Sequence, residues 1–303
     1  MEFFKAKYKI PFMRHRKWAA VFSAIIIIGS LLSLAINGLN LGLDFTGGTT
    51  AEVSFAQPTS ADEVRNKLVA NGFEKAVVQA FSVTDYSIRV APRSESQEQL
   101  RENIMKVFPG AKINNLEYIG PEVGKTLVTN GILAIVVSLL AIMIYIALRF
   151  EYRLALSGVL PLLHDPILIL GIFSLFHLEF NLIVLAAVLT VIGYSLNETV
   201  VVFDRVRENF RKVRKGTPLE IMDLSINQVF SRTIMTASCT LIVVVVLCIF
   251  GGPTLRLFAI ALIIGIVIGT YSAIYIAGSL AIAFGLDRST MLPTKRLAED
   301  ELP

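Results

Sequence analysis

Residues 181–203 read NLIVLAAVLTVIGYSLNETVVVF, and that run decides the fold. A helix needs about 20 mostly apolar residues to cross the hydrocarbon core of a bilayer, and this stretch has them. It contains a single charged side chain, Glu198. Five further stretches satisfy the same length rule, at 18–37, 126–148, 154–176, 232–250 and 256–284. The last two are parted by Gly251-Gly252-Pro253-Thr254, a strong turn signal. The composition agrees: 54% hydrophobic and 17% charged residues, against roughly 45–50% and 25% in water-soluble domains. A chain of this kind cannot hide its apolar surface in one aqueous core. The expected fold class is therefore an α-helical polytopic membrane protein with six transmembrane helices.

Orientation follows from the distribution of Lys and Arg rather than from the net charge of +4. Lys5, Lys7, Lys9, Arg14, Arg16 and Lys17 fill the arm 1–17, and Arg205, Arg207, Arg211, Lys212, Arg214 and Lys215 follow the fourth helix. Arg149 and Arg153 mark the turn after the second helix, and Arg288, Lys295 and Arg296 mark the tail 285–303. The loops near 176–180 and 251–255 have no basic residue before Leu255. Both termini are thus expected in the cytoplasm, with residues 38–125 outside. The first helix has the basic flank of a secretory signal and Ser33-Leu34-Ala35 beyond its middle, but its apolar run is too long for one, so it reads as a retained anchor. Cys239 and Cys248 lie about 13 Å apart on one helix, too far for a disulfide, and read as small apolar residues.

Within 38–125 the pattern changes to that of a small α/β domain. A strand at 49–55 is followed by Ser60-Ala61-Asp62-Glu63, a capping box opening a helix that stops at Gly72. Alternating runs at 76–82 and 86–91, a helix at 96–108 ended by Pro109-Gly110, and a strand at 111–119 complete the order. Strand–helix–strand–strand–helix–strand predicts a ferredoxin-like sandwich. It shows no nucleophile, metal-ligand or phosphate-loop pattern, which points to a binding or lever module and away from an enzyme. In the loop 204–231, Thr217-Pro218-Leu219-Glu220 predicts a second capping box. Leu219, Met222, Ile226, Val229 and Phe230 then recur opposite Glu220, Asp223, Asn227 and Gln228, predicting an amphipathic helix on the membrane surface. The basic residues before it would face anionic lipid headgroups.

Ionisable groups inside membrane helices cost about 2.5–3.5 kcal/mol each on insertion scales, so each is a functional candidate. His164 and Asp165 lie in the third helix, Glu198 in the fourth, and Arg232 near the start of the fifth. Glu198 sits about 9 Å from the border at Asp204-Arg205, and Arg232 sits at a similar depth, so the two can pair across helices. Asn197 and Tyr194 add hydrogen-bonding groups beside Glu198. Static interhelical hydrogen bonds and snorkelling of Arg232 are the bland alternatives. An intramembrane hydrolase on His164-Asp165 lacks a recognisable Ser, Cys or Glu partner, and no metal ligands are predicted. After the first helix, Gly42-Leu43-Asp44-Phe45-Thr46-Gly47-Gly48-Thr49 reads as a tight turn whose glycines allow conformations closed to other residues.

GLDFTGGT at 42–49, GYSLNETVVVFDRVREN at 193–209, Ser231-Arg232-Thr233 and FGGPT at 250–254 closely resemble the SecD/SecF family of protein-export membrane proteins, within the resistance–nodulation–division (RND) superfamily. The resemblance covers nearly the whole chain. It implies an RND-type half that pairs with a homologous SecD half beside the SecYEG translocon, in the bacterial cytoplasmic (inner) membrane. The substrate it implies is translocating unfolded polypeptide, with no nucleic acid, and no cofactor beyond a coupling ion, H+ or Na+. It places Glu198 and Arg232 at the family's ion-coupling positions, with an aspartate on the partner half; Asp165, His164 and Asn197 are candidates to extend that pathway. Asp44, Phe45, Thr46, Gly47, Gly48, Gly251 and Gly252 fall on structural motifs. Two departures stand out: Glu198 is one methylene longer than the family's usual Asp, and Pro166, which can kink a helix, replaces an aliphatic residue. A passive translocon scaffold, or half of a small-molecule or lipid exporter, are the rival functions.

Overall fold

The computed structural model describes residues 10–73, 76–91, 96–213 and 215–288, apart from the side chains of 253 and 254. Lys5, Lys7, Lys9, Arg214, Lys295 and Arg296, used above for orientation, lie outside the described residues. In chain order the elements are α1 (Arg16–Asn37), β1 (Asn40–Leu41), α2 (Leu43–Thr46), β2 (Gly48–Ser54), α3 (Ala61–Ala70), β3 (Val77–Ala80), β4 (Asp85–Val90) and α4 (Gln97–Val107). They continue with β5 (Lys112–Ile119), α5 (Pro121–Arg149), α6 (Tyr152–Leu175), β6 (Glu179–Phe180), α7 (Leu182–Lys212), α8 (Pro218–Phe250), α9 (Gly252–Tyr271) and α10 (Gly278–Ala283). A π-helical turn, Ser272–Ala277, joins the last two. Among the described residues, 6 helices are long and apolar enough to cross a membrane. The chain divides into a mainly helical unit (1–39, 135–178 and 186–303) and an α/β unit (40–134 and 179–185).

The α/β unit has the predicted ferredoxin-like order. Its sheet runs β3-β4-β2-β5 with every neighbouring pair antiparallel. Alternation puts Ala51 and Val53 of β2 and Tyr86, Ile88 and Val90 of β4 into one core with Val64 and Leu68 of α3 and Leu100, Ile104 and Phe108 from α4 and its end. Ser60 caps α3 as expected by accepting from the Glu63 N–H at 3.2 Å. The reciprocal half of that box is not made, because the Glu63 carboxylate is taken by Lys67 at 3.0 Å. α4 carries the full reciprocal box, Ser96 with Gln99.

At the β3–β4 turn the Asp85 carboxylate accepts from Ser54 and, at 2.7 Å, from Ser82. These hydrogen bonds, with a third from Thr84, hold its pKa below the ordinary 3.8. A carboxyl with a depressed folded value contributes stability that is complete above the unfolded value and is lost as pH falls through the folded one. Wild-type unfolding curves are therefore expected to steepen in acid dependence below about pH 4, relative to Asp85→Asn. Thermal unfolding of both proteins across that range checks it; parallel curves would refute the assignment.

In the helical unit α6 is the most enclosed element. Its buried residues include Leu154, Ser157, Leu162, His164, Asp165, Leu168 and Phe173, and it runs from 152 to 175 without a break despite Pro161 and Pro166. Small residues let backbones approach closely, as in other membrane helix pairs. A Cβ on Gly171 would meet the Ser30 Cα of α1 at 2.7 Å, and one on Gly269 the Ser195 Cβ of α7 at 3.2 Å.

One expectation is corrected. The amphipathic segment after Thr217 is not a separate surface helix: α8 is a single helix from Pro218 to Phe250, capped by the predicted Thr217–Glu220 box. Its buried positions Ile221, Met222, Ser225 and Ile226 continue into Thr233, Ala237 and Val244, so the apolar pattern is the inward stripe of one long helix. No Gly or Pro interrupts 219–250 to end it. α7 likewise extends to Lys212, and its Asn209 bonds Ser225 at 2.9 Å and Gln228 at 2.7 Å. Cys239 and Cys248 are free.

Candidate functional site: buried carboxyl groups of the helical unit

Asp165 is fully buried, at 0% exposure, on the inward face of α6. Its Oδ1 lies 2.7 Å from Nδ1 of His164. Its Oδ2 accepts from the Ser195 hydroxyl of α7 at 2.5 Å and from the Ser272 hydroxyl at 2.8 Å. Ser272 begins the π-helical turn, a kind of irregularity that frequently marks functional positions. A carboxyl group in low dielectric is tolerable only when paired and hydrogen-bonded, and this one is tied to three partners.

The polar chain continues on the other side of the imidazole. His164 Nε2 lies 3.3 Å from Ser23 Oγ of α1. Ser23 Oγ lies 3.1 Å from the Tyr271 hydroxyl, which donates to the Ala19 carbonyl at 2.8 Å. With Nδ1–H donated to Asp165, Nε2 is an acceptor that the Ser23 hydroxyl can fill. The hydrogen-bonded line therefore runs from Asp165 through His164 to Ser23 of α1; with the Ser23 proton on His164 and the Tyr271 proton on Ala19, no proton bridges Ser23 and Tyr271 in this arrangement. Ser23, Ser195, Tyr271 and Ser272 carried no signal in the sequence, since isolated hydroxyls in apolar helices are common and are usually satisfied by their own backbone.

Glu198 forms a second buried carboxyl site, at 3% exposure on α7. It accepts from the Thr236 hydroxyl of α8 at 3.1 Å. The hydroxyls of Thr199 and of Thr233 are buried without a hydrogen-bond partner among the described residues, and the Tyr194 phenol, one turn before Glu198 on α7, lies beside Glu198, Thr236 and Thr270. Buried polar groups are normally satisfied, so the hydroxyls beside Glu198, those of Thr236 and Tyr194, give its carboxyl group polar company in an apolar helix.

The expected pairing of Glu198 with Arg232 is not made here: no ion pair within 4.0 Å joins them among the described residues. Arg232 is exposed and lines an open polar hollow of about 630 Å³ with Asn197, Asp204, Arg205, Glu208 and Gln228. Successive helical residues point about 100° apart, so depth alone does not bring two side chains together. The residue of α8 that reaches Glu198 is Thr236, one turn further on. Asn197 is likewise turned to the hollow and away from the buried carboxyl.

The glycine motif belongs to the α/β unit and does more there than turn the chain. Asp44 Oδ2 accepts from the Leu182 N–H at 2.7 Å, capping the start of α7. Phe45 stacks on Phe180 at 5.9 Å, and β1 pairs in parallel with β6, so residues 176–180 are not a plain loop. Arg89 binds Glu179 at 2.8 Å and the Leu41 carbonyl. Burial pushes the Glu179 carboxyl above its ordinary value, and the Arg89 guanidinium pulls against that rise. Gly47 and Gly48 have φ of 67° and 123°, and a Cβ on Gly48 would strike the Val90 carbonyl oxygen. Gly251 closes α8 with its N–H on Leu247 O at 2.8 Å, and Gly252 at φ 74° turns the chain into α9.

Two family models match this chain: "Protein export membrane protein SecD/SecF, C-terminal" over residues 99–287 and "SecD/SecF GG Motif" over residues 32–59. The protein translocase subunit SecF of Vibrio alginolyticus is 46% identical over 99% of this chain and 98% of its own length. That of Escherichia coli O157:H7 is 42% identical over 94% of this chain and 90% of its own. The crystal structure of SecDF, a translocon-associated membrane protein from Thermus thermophilus, matches with a TM-score of 0.86 at 32% identity over 92% of this chain. This chain spans 39% of the length of that protein.

Proposed function

The chain belongs to the SecD/SecF family of protein-export membrane proteins, and on that premise we propose that it is an auxiliary subunit of the Sec protein translocase. In this reading it pairs with a SecD-type half, which supplies the larger share of the SecDF length, and works beside the SecYEG translocon on emerging polypeptide. It sits in the bacterial cytoplasmic membrane with both termini in the cytoplasm and the α/β unit outside. Its chemistry is ion-coupled movement, with H+ or Na+ as the transported species and no catalytic centre.

The observation that carries this reading is Glu198: a carboxyl group at 3% exposure on an apolar helix, held by the Thr236 hydroxyl with the Tyr194 phenol beside it. Such a group can take up and release a proton, or hold a small cation, where a neutral amide cannot. Arg232 at the polar hollow supplies the countercharge when the helices shift, lowering the cost of the ionised state. The Asp165–His164–Ser23 line offers a relay for protons towards the basic end of α1. The α/β unit converts the movement into a pull on polypeptide.

Inverted membrane vesicles with and without an ion gradient test this directly. Glu198→Gln is expected to abolish the gradient-dependent part of secretion while leaving the gradient-independent part intact, and Glu198→Asp is expected to restore much of it. Undiminished gradient dependence in Glu198→Gln would eliminate ion coupling at this site and leave the passive-scaffold function.

A further inference from the structure

A hollow of about 530 Å³ opens on the flank of the helical unit, between α1, α6, the end of the π-helical turn at Ile276, and α10. Its walls are mainly aliphatic; Ala20, Ala24 and Ile27 of α1 face Leu163, Ile167 and Leu280. Arg16 and Lys17 line it at the start of α1, and Ser23 and His164 line its middle. Neither cation has an ion-pair partner within 4.0 Å among the described residues. The Ser279 hydroxyl, which also lines the hollow, is buried with no hydrogen-bond partner among the described residues.

Four features point to the occupant. An aliphatic slot on a membrane helix is filled by an alkyl chain, because no water is available to wet it. From Arg16 to Ile27 along α1 is about 16 Å, close to half of the roughly 30 Å hydrocarbon core and so to one leaflet. Trp18, 75% exposed next to Lys17, marks headgroup depth, where Trp concentrates. Two cations at that depth, with no ion-pair partner among the described residues, complement a phosphate, as basic pockets between transmembrane helices do.

We propose that this slot binds one anionic glycerophospholipid, with its phosphate on Arg16 and Lys17 and one acyl chain lying past Ser23 and His164 to Ile27. The bound chain walls the Ser23–His164–Asp165 hydrogen-bond line off from lateral water. The small side chains of Ala20 and Ala24 make the room, and the π-helical turn, through Ile276, shapes the far wall.

Native mass spectrometry of the full chain, released from detergent after exchange into phosphatidylglycerol or phosphatidylcholine, tests the site. Wild type is expected to retain one phosphatidylglycerol through an activation energy that strips phosphatidylcholine. Arg16→Gln with Lys17→Gln is expected to weaken phosphatidylglycerol retention roughly thirtyfold, given two headgroup contacts. Ala24→Trp, a change at an exposed position, is expected to remove the adduct with both cations still present. Equal retention of the two lipids, loss in the cation variant without loss in Ala24→Trp, or no retained lipid in wild type would each overturn the proposal. The last result would assign the slot to a protein partner.

Discussion

Asp165→Ala is expected to lower the stability of the detergent-solubilised protein by about 3–5 kcal/mol, the usual cost of removing one member of a buried charged or strongly polar set. The reason is what it leaves behind. His164, Ser195 and Ser272 are buried at 6%, 0% and 0% exposure, and each would lose its contact with the carboxyl group with no water to replace it. Asp165→Asn keeps the shape and one acceptor oxygen, so it is expected to recover more than half of the loss. Thermal unfolding followed by tryptophan fluorescence and by size-exclusion recovery checks both. Equal losses for Ala and Asn would mean that charge alone holds the site. No loss in either would mean that the three hydrogen bonds add nothing to the packing of α1, α6, α7 and the π-helical turn. The measurement concerns folding only, so it stays informative whatever the gradient experiment on Glu198 yields.

Gly48→Ala is the second large effect expected. At φ 123° an L side chain is strained by about 1–3 kcal/mol, and a Cβ there also collides with the Val90 carbonyl oxygen. Overpacking of that kind adds about 1–3 kcal/mol because β2 must move off β4. Gly72→Ala is the control: its φ is 89°, but a Cβ there meets nothing within 4 Å, so it carries the backbone strain without the collision. Hydrogen exchange of the full-length protein is expected to show β2, β4 and β5 losing protection in Gly48→Ala, with Gly72→Ala disturbed only near the end of α3. If the two variants behave alike, the close approach of Gly48 to β4 is not what the glycine is for.

Both predictions rest on contacts that the sequence suggests only in part. His164 and Asp165 stand out because charge in an apolar run is rare, and rarity is visible without coordinates. Their partners do not stand out, because Ser195 and Ser272 look like any small residue in a membrane helix. The same limit explains Arg232. Counting residues from a border measures depth, which is one coordinate, whereas pairing also needs the helix rotation, and one residue of rotation separates Arg232 from Thr233, which is buried. The surface helix after Thr217 failed for a related reason: a 3.6-residue apolar stripe facing a membrane and one facing other helices are identical as patterns.

The amino-acid sequence by itself determined the elements that depend on local or summed properties. Six apolar runs, the strand–helix order of the α/β unit, the caps at Ser60 and Thr217, the family resemblance and the presence of buried carboxyl groups are all of that kind. The tertiary structure alone decided what meets what: Asp165 with Ser195 and Ser272, Glu198 with Thr236, β1 with β6, and the apolar slot beside His164. The physical reason is that insertion into a bilayer responds to total hydrophobicity along a segment, and periodicity responds to one face at a time. Contacts between helices depend instead on their mutual rotation and register, to which widely separated segments of the chain contribute jointly.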